Sequence, residues 1–476
     1  MPKEFIIAIE LGSSKMTGIA GRKNLDGSTS ILAIVEEDAT SCIRKGVIYN
    51  IDKTVLALTS IVKRLEKQLK SKVAQVYVGV GGQSIRSIRN VIVKDFPEET
   101  IITKDMIDEL MDANRSMAYP EQEILDAVTQ EYKVDSQYQI DPAGIQCKRL
   151  EGNFLNILWR KTFYRNLNKC FENAKIPIAE MYLAPLAMAD SVLTEAEKRS
   201  GCILVDLGAD TTTVSIYYKN ILRHLAVIPL GSANVTKDLE KLIMEPEEAE
   251  ALKIKYGSAF TENNDIDPTT MIKVNSEREI SSRDFIETIE GRMMEIIENV
   301  KYQIPNDYID KIIGGVVITG GGSNMKNIEK AFRKYMNIDK VRVANFVLPL
   351  INANQKEITA RDGKMNTLLS LLIKGDMDCS GGELTTDLFD NLEPTNPDVE
   401  TEPHRSNGPG RVPTQAEKEE EERRKEAERL EEERRREEEE ARRIAEEEEE
   451  RKRNSFMNRS IKGVKDFLKR MISDDE

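Results

Sequence analysis

Residues Ile203–Tyr218 read ILVDLGADTTTVSIYY. Apolar residues run up to Asp206, a turn Leu207-Gly208-Ala209-Asp210 follows, and Thr211-Thr212-Thr213 opens a second apolar run. The pattern is strand, turn, strand. Such a turn aims successive backbone N–H groups at an anion, with threonine hydroxyls beside them. Asp206 then stands where a hydrated Mg²⁺ would be held against phosphates. An acidic hairpin turn in an ordinary sheet has the same local pattern. The decisive feature is a second copy: residues 6–20, IIAIELGSSKMTGIA, repeat the layout with Glu10, Leu11-Gly12, Ser13 and Ser14. Two such hairpins, far apart in the chain, describe a duplicated α/β fold closing on one nucleotide from both sides.

The chain has 476 residues, enough for two or more domains. A formal charge of −14 argues against general attraction to nucleic acid. The 5 cysteines (Cys42, Cys147, Cys170, Cys202, Cys379) are scattered without a Cys-x-x-Cys pair, against both a disulfide framework and a zinc site. Only 2 histidines, His224 and His404, are present, too few for a histidine-based triad or metal cluster. The opening MPKEFIIAIELG lacks a basic region followed by a signal-length apolar segment. No run approaches the ~20 apolar residues of a membrane span. The expected compartment is the cytoplasm.

Outward from the first hairpin, 30–35 reads as a strand and 52–69 as a helix, with Val55, Leu58, Val62 and Leu65 near helical spacing. VAQVYVGVGG (73–82) is a buried strand ending in glycines. Residues 84–165 change texture: alternating runs flank a helix at 104–117, a small α+β insertion without a chemical constellation. PLAMADSVLT (185–194) is rich in small residues and suits close helix packing between domains. After the second hairpin, the loop Gly231-Ser232-Ala233-Asn234 precedes a helix. Helices then dominate to about residue 305 on periodicity. Within them Glu250 and Lys253 share a helix face, as a surface ion pair or as part of a site. GGVVITGGGSNM (314–325) is a buried strand ending in Gly320-Gly321-Gly322. Three glycines remove every Cβ where a flat ring or phosphate approaches, although a structural tight turn has the same sequence. Residues 352–373 supply a closing helix.

This order of first phosphate hairpin, small-residue helix, second phosphate hairpin and GGG element resembles the superfamily of actin, heat-shock chaperones and sugar kinases. EYKVD (131–135), PAGIQCKRLEG (142–152), PLAMADSVLT, IPLGSANVTKDL (228–239) and AEALKIKYG (249–257) narrow it. Residues 1 to 375 resemble the FtsA family, actin homologues of bacterial cell division. The resemblance implies an actin-like two-lobed ATPase fold that binds ATP with Mg²⁺ and self-assembles into filaments. The first lobe takes residues 1–83 and 166–194, with the inserted subdomain at 84–165. The second takes 195–231 and 305–375, with a small subdomain at 232–304 that docks the C-terminal peptide of the tubulin-like division protein FtsZ. By motif matching, Gly12, Ser13, Ser14 and Lys15 contact phosphate, with Asp206, Gly208, Thr211, Thr212 and Gly231 opposite. Glu250 and Lys253 reach ribose and adenine, and Gly320, Gly321 and Gly322 pass beneath the nucleoside. Glu10 and Asp206 hold Mg²⁺ through water. Glu10 stands where the superfamily usually has Asp, and Ser232 where a second glycine often follows Gly231. Both departures point to slow or no ATP hydrolysis, because phosphoryl transfer depends on positioning. Arg283 and Arg292, in the helical pattern 282–303, are candidates for the FtsZ groove.

Residues 376–414 are rich in Gly, Pro, Asn, Asp and Thr and are expected to be a disordered linker, reaching roughly 35 Å r.m.s. as a coil. Residues 415–453 switch to Glu and Arg blocks in which Glu repeatedly precedes Arg or Lys by four, from Glu419/Arg423 to Glu449/Arg453. Each such pair stabilises a helix by ~0.2–0.5 kcal/mol. The segment reads as a solvated helical spacer or a disordered polyampholyte. Residues 454–472, NSFMNRSIKGVKDFLKRMI, place Met457, Ile461, Val464, Leu468 and Met471 on one helical stripe, widened by Phe456, Phe467 and Ile472. Lys462, Lys465 and Lys469 flank it. A basic amphipathic helix of this kind suits an anionic membrane surface, and a groove on a protein is the alternative.

The function expected from these features is a nucleotide-bound actin-like polymer tethering the division ring to the membrane. It would be peripheral, on the cytoplasmic side of the inner membrane at the division septum, in contact with FtsZ and other divisome proteins. A small-molecule kinase on the same fold is the enzymatic alternative, and would need a substrate pocket and catalytic carboxylate. A pilus-assembly actin homologue is the third reading, and would lack the long tether.

Overall fold

The computed structural model describes residues 4–262, 270–276, 278–383, 410–427, 429–430 and 434–435. Residues 4–413 of that set form one compact unit, and the chain from Thr414 belongs to a second. The first unit is built on two sheets. In the first lobe, Ile6–Leu11 pairs antiparallel with Lys15–Lys23, which pairs with Thr29–Asp38. On its other side Ile6–Leu11 runs parallel to Val76–Val80, which runs parallel to Ile178–Leu183. The strands Ile6–Leu11 and Val76–Val80 are apolar without alternation because both faces are covered. Helices Ile51–Leu69 and Lys161–Ala174 contribute Leu58, Ile61, Leu65, Leu167 and Phe171 to that core. The first of them is capped by Asn50, whose side chain accepts from the Lys53 N–H.

The second lobe repeats the hairpin. Cys202–Leu207 pairs antiparallel with Thr212–Tyr218 and runs parallel to Gly315–Thr319. Its core includes Val205, Val214, Phe285, Ile289, Ile297 and Phe332. Two helices, Ala184–Val192 and Asn366–Lys374, pack on one another. The first lies in the small-residue stretch, whose alanines permit close approach.

The insertion carries three long strands, Arg86–Ile101, Gln122–Val134 and Gln146–Arg160, and the helix Lys104–Arg115. It has a core of its own around Tyr132, Leu150 and Phe154. Its sheet joins that of the second lobe through the pair Ala226 and Arg86.

The segment expected as a free linker from 376 to 414 is instead anchored where it is described. Ser380–Glu383 pairs with Ser71–Val73, with Cys379 buried beneath it. Arg411–Val412 adds a seventh strand to the first-lobe sheet, against Ile178–Leu183. Both are pairings made with a strand distant in the chain, so composition alone did not signal them. In the second unit, residues 415–427 are helical, the first of the two readings of that segment. The remaining expectations for 415–453, and all of those for 454–472 with Phe456, Met457, Ile461, Lys462, Val464, Lys465, Phe467, Leu468, Lys469, Met471 and Ile472, lie outside the described residues.

Candidate nucleotide site

The two hairpins come close to one another. The turn between Ile43–Arg44 and Val47–Ile48 touches both: the Gly46 N–H donates to Ser13 Oγ at 2.8 Å, and the Lys45 N–H donates to Asp210 Oδ2 at 3.1 Å. Gly46 must be glycine, because at φ +71° a Cβ would lie 2.4 Å from Gly82 Cα. Nothing in the sequence pattern singled out this turn.

Glu10 and Asp206 end the corresponding strands, each half-buried, and close enough for the charge of Asp206 to act on Glu10. Desolvation, then Asp206, pushes the Glu10 carboxyl up to about 8, and desolvation pushes Asp206 up to about 6. Neither carboxylate has an ion pair or side-chain hydrogen bond among the described residues. Two neighbouring carboxylates that lack an internal cation suit a hard divalent ion that keeps most of its water.

Gly320 packs directly under Asp206. Its φ is +86°, and a Cβ there would lie 2.3 Å from Asp206 Oδ1. Gly321 is open, with only the Lys364 side chain within 4 Å of a Cβ, and Gly322 abuts Leu207 and Ser232. The GGG element therefore joins the second hairpin as expected from the motif order. Asn366, a residue without sequence signal, sits beneath: its Nδ2 donates to Thr319 Oγ1 at 2.9 Å and to Ala344 O at 2.8 Å.

Glu250 and Lys253 also reach this region. Lys253 is buried, and its Nζ donates to Glu250 Oε2 at 2.6 Å, to Thr236 Oγ1 at 2.9 Å and to Ser232 O at 3.3 Å. Glu250 keeps 46% of its side chain exposed. The bland surface-pair reading is thus replaced by a cluster linking the helices Ser232–Glu240 and Pro246–Tyr256, with Glu250 as its open end.

Other expected contacts are committed elsewhere. Thr212 is fully buried, and its hydroxyl donates to Leu230 O at 2.8 Å, so it braces the hairpin. The Gly231 N–H donates to Asn234 Oδ1 at 2.9 Å, and a Cβ on Gly231 would lie 2.4 Å from Ala209 O. The next two N–H groups, of Ser232 and Ala233, donate to Gly208 O and Ala209 O at 2.9 and 2.8 Å. This loop is spent on closing the hairpin turn, and Gly231 serves that close approach. Lys15 pairs with Glu36 at 2.5 Å, with 60% of its side chain exposed. Gly12, Ser13, Ser14, Gly208 and Thr211 remain at the two turns, none of them fully buried.

A second concavity lies in the small subdomain. A shallow, open depression of about 370 Å³ between Ser232–Glu240 and Ser282–Tyr302 is lined by Asp238, Leu242, Gly291, Arg292 and Glu295 among others. Arg292 Nε donates to Asp238 Oδ2 at 2.5 Å. Arg283 is exposed in the first turn of the same helix and does not line the depression.

Comparison with known proteins decides the family. The family model "Cell division protein FtsA" matches residues 203–361, and "SHS2 domain inserted in FTSA" matches 82–158. Cell division protein FtsA of Porphyromonas gingivalis is 32% identical over 335 residues, 69% of this chain and 70% of the relative. The chain belongs to the FtsA family of cell-division proteins. FtsA of Neisseria meningitidis serogroup B is 30% identical over 345 residues, 71% of this chain and 83% of its own length. A solved chain of the PilM–PilN type IV pilus biogenesis complex superposes with a TM-score of 0.53 at 11% identity, over 77% of this chain and 97% of that one. The fold is actin-like, mixed α/β, with an inserted SHS2 subdomain. Among the described residues no helix is long and apolar enough to cross a membrane.

Proposed function

We propose that this FtsA-family chain is an ATP-binding, filament-forming adaptor that tethers the FtsZ ring to the cytoplasmic face of the inner membrane at the septum. The observation carrying the nucleotide part is the convergence of two carboxylate-bearing hairpins, with the open Gly321 backbone beneath. Glu10 and Asp206 would hold Mg²⁺, whose chemistry is to neutralise phosphate charge. The N–H groups of the turns at Gly12–Ser14 and Ala209–Asp210 would face phosphate, while Glu250 would meet the ribose. With Thr212 and the Gly231 loop committed to bracing the turn, we infer that the site favours binding over fast hydrolysis, making the nucleotide an assembly switch. The groove beside Arg292 is the place for the FtsZ peptide, and the basic amphipathic pattern of 454–472 is the membrane anchor.

The test is co-sedimentation with anionic liposomes in the presence of ATP, comparing the full chain with one ending at Arg453. Binding that disappears on truncation, with filaments on the liposomes of the full chain, is the expected result. Equal binding by both chains, or by neither, would reject the tether.

A further inference from the structure

The edge of the first-lobe sheet holds a short piece of the chain in a way that goes beyond covering a strand. The Leu183 N–H donates to Gly410 O at 2.6 Å, and Arg411 and Val412 pair in register with Tyr182 and Met181. The Gly410 N–H turns the other way, to Asp126 Oδ2 at 2.9 Å on the inserted subdomain. Four residues therefore bridge the lobe and the insertion. Each fits a separate feature. Gly410 has φ +90°, and a Cβ would press on Leu186 Cβ at 3.0 Å. Arg411 Nε donates to Glu180 Oε1 at 3.0 Å, and Glu180 is only 2% exposed. Val412 is fully buried in the lobe core. Pro413 ends the pairing, having no N–H to give, and its carbonyl accepts from the Tyr164 hydroxyl.

A nearly buried carboxylate is costly without a cation, and here the cation comes from a segment distant in the chain. Backbone pairing supplies affinity, while the glycine, arginine and valine positions supply selectivity, as in recognition of peptides by strand addition. We propose that the groove between Ile178–Leu183 and Asp126 is a peptide-recognition site whose resident ligand is the chain's own Gly410–Pro413, acting as a releasable latch. Latched, the C-terminal charged segment departs from the body at Thr414. Released, the departure point retreats to the strand Ser380–Glu383, lengthening the connection to the charged segment by residues 384–413. That consequence for tether length rests on the adaptor reading, but the latch does not. The groove accepts a short strand with glycine, a basic residue and a β-branched apolar residue in succession.

The latch is tested on the full chain without nucleotide or lipid, by amide hydrogen exchange at Leu183. Val412→Asp, and separately Arg411→Glu, should speed exchange at Leu183 at least tenfold while exchange in Val76–Val80 stays unchanged. Excess free peptide of sequence GPGRVPT, residues 408–414, should restore protection in the Val412→Asp chain. The same peptide with glutamate in place of its arginine should not. Unchanged exchange in both variants, or equal rescue by both peptides, would overturn recognition by this groove. Protection in the unmodified chain that is lost on dilution would assign the strand to a second copy and overturn the latch within one chain. None of these outcomes depends on nucleotide or membrane binding, so the two proposals fail separately.

Discussion

Glu197 shows how a single carboxylate ties two elements together. Thr194 caps the helix Glu195–Ser200 through a reciprocal pair of hydrogen bonds with it. Arg342 grips the same carboxylate with Nε at 2.7 Å and Nη2 at 2.8 Å, from the edge strand Val341–Val343. Burial alone would raise its proton affinity, but Arg342 and the Thr194 N–H outweigh burial and hold it at about 2. A carboxyl lowered in the folded state stabilises the fold above its unfolded pKa and loses that contribution as pH falls through its folded one. The shift is worth at most about 3 kcal/mol. Urea unfolding of Glu197→Gln should therefore show a deficit of about 1–3 kcal/mol at pH 7 that narrows as pH drops from 5 toward 2. A deficit constant across that range would mean the carboxylate charge is not what counts. At this scale the sequence was informative where a pattern repeated. Glu10 and Asp206 were legible because two hairpins carry a carboxylate at matching places. Thr212 and Gly231 misled, since the direction of a hydroxyl or amide depends on which neighbour closes the turn. Asn366 and Lys45 belong to no pattern and act through contacts made only after folding.

The helix Ser282–Tyr302 buries one face from Phe285 to Val300, and Gly291 sits in its middle. Glycine there costs about 1 kcal/mol relative to alanine. No atom lies within 4 Å of where its Cβ would stand, so no packing constraint demands it. Its absence of a side chain keeps the groove beside Arg292 open. If this groove takes the FtsZ C-terminal peptide as proposed, Gly291→Leu should leave thermal stability unchanged or raise it slightly while weakening that binding at least tenfold, read by fluorescence anisotropy. Unaltered affinity in a folded variant would move the peptide site away from this groove. Elements of this kind were readable from pattern: the helix and the insertion's strands from periodicity, and both hairpins from unbroken apolar runs ending at an acidic residue and a turn. The strands Ser380–Glu383 and Arg411–Val412 were not. Each is too short to show alternation, and each lies in a stretch whose glycines and prolines resemble those of an unfolded linker. What makes them strands is a distant partner: the edge strand Ile178–Leu183 for Arg411–Val412, where an edge left bare is a site for unwanted pairing, and the short strand Ser71–Val73 for Ser380–Glu383.

For the whole molecule, the order of hairpin, insertion, small-residue helix, hairpin and GGG element was enough to place an actin-like body, because duplication brings two copies of the same motif close to one another. The relation between that body and the membrane is energetic, and no single motif states it. In the proposed tether, some eight apolar side chains of 454–472, half-inserted, give a gross gain near ~10 kcal/mol, and ordering the helix consumes much of it. One copy then binds weakly. Copies joined in a filament bind through effective concentration, so their combined attachment rises steeply with number. Leu468→Glu, which places a charge on the apolar stripe, should lower liposome binding of dilute single chains several-fold. The loss should be far larger under conditions in which the chain polymerises, because every copy in the filament carries the defect. Sedimentation across a concentration series with and without ATP separates the two regimes. A loss of the same size in both would mean that attachment and assembly are uncoupled, and that the terminal segment works one copy at a time.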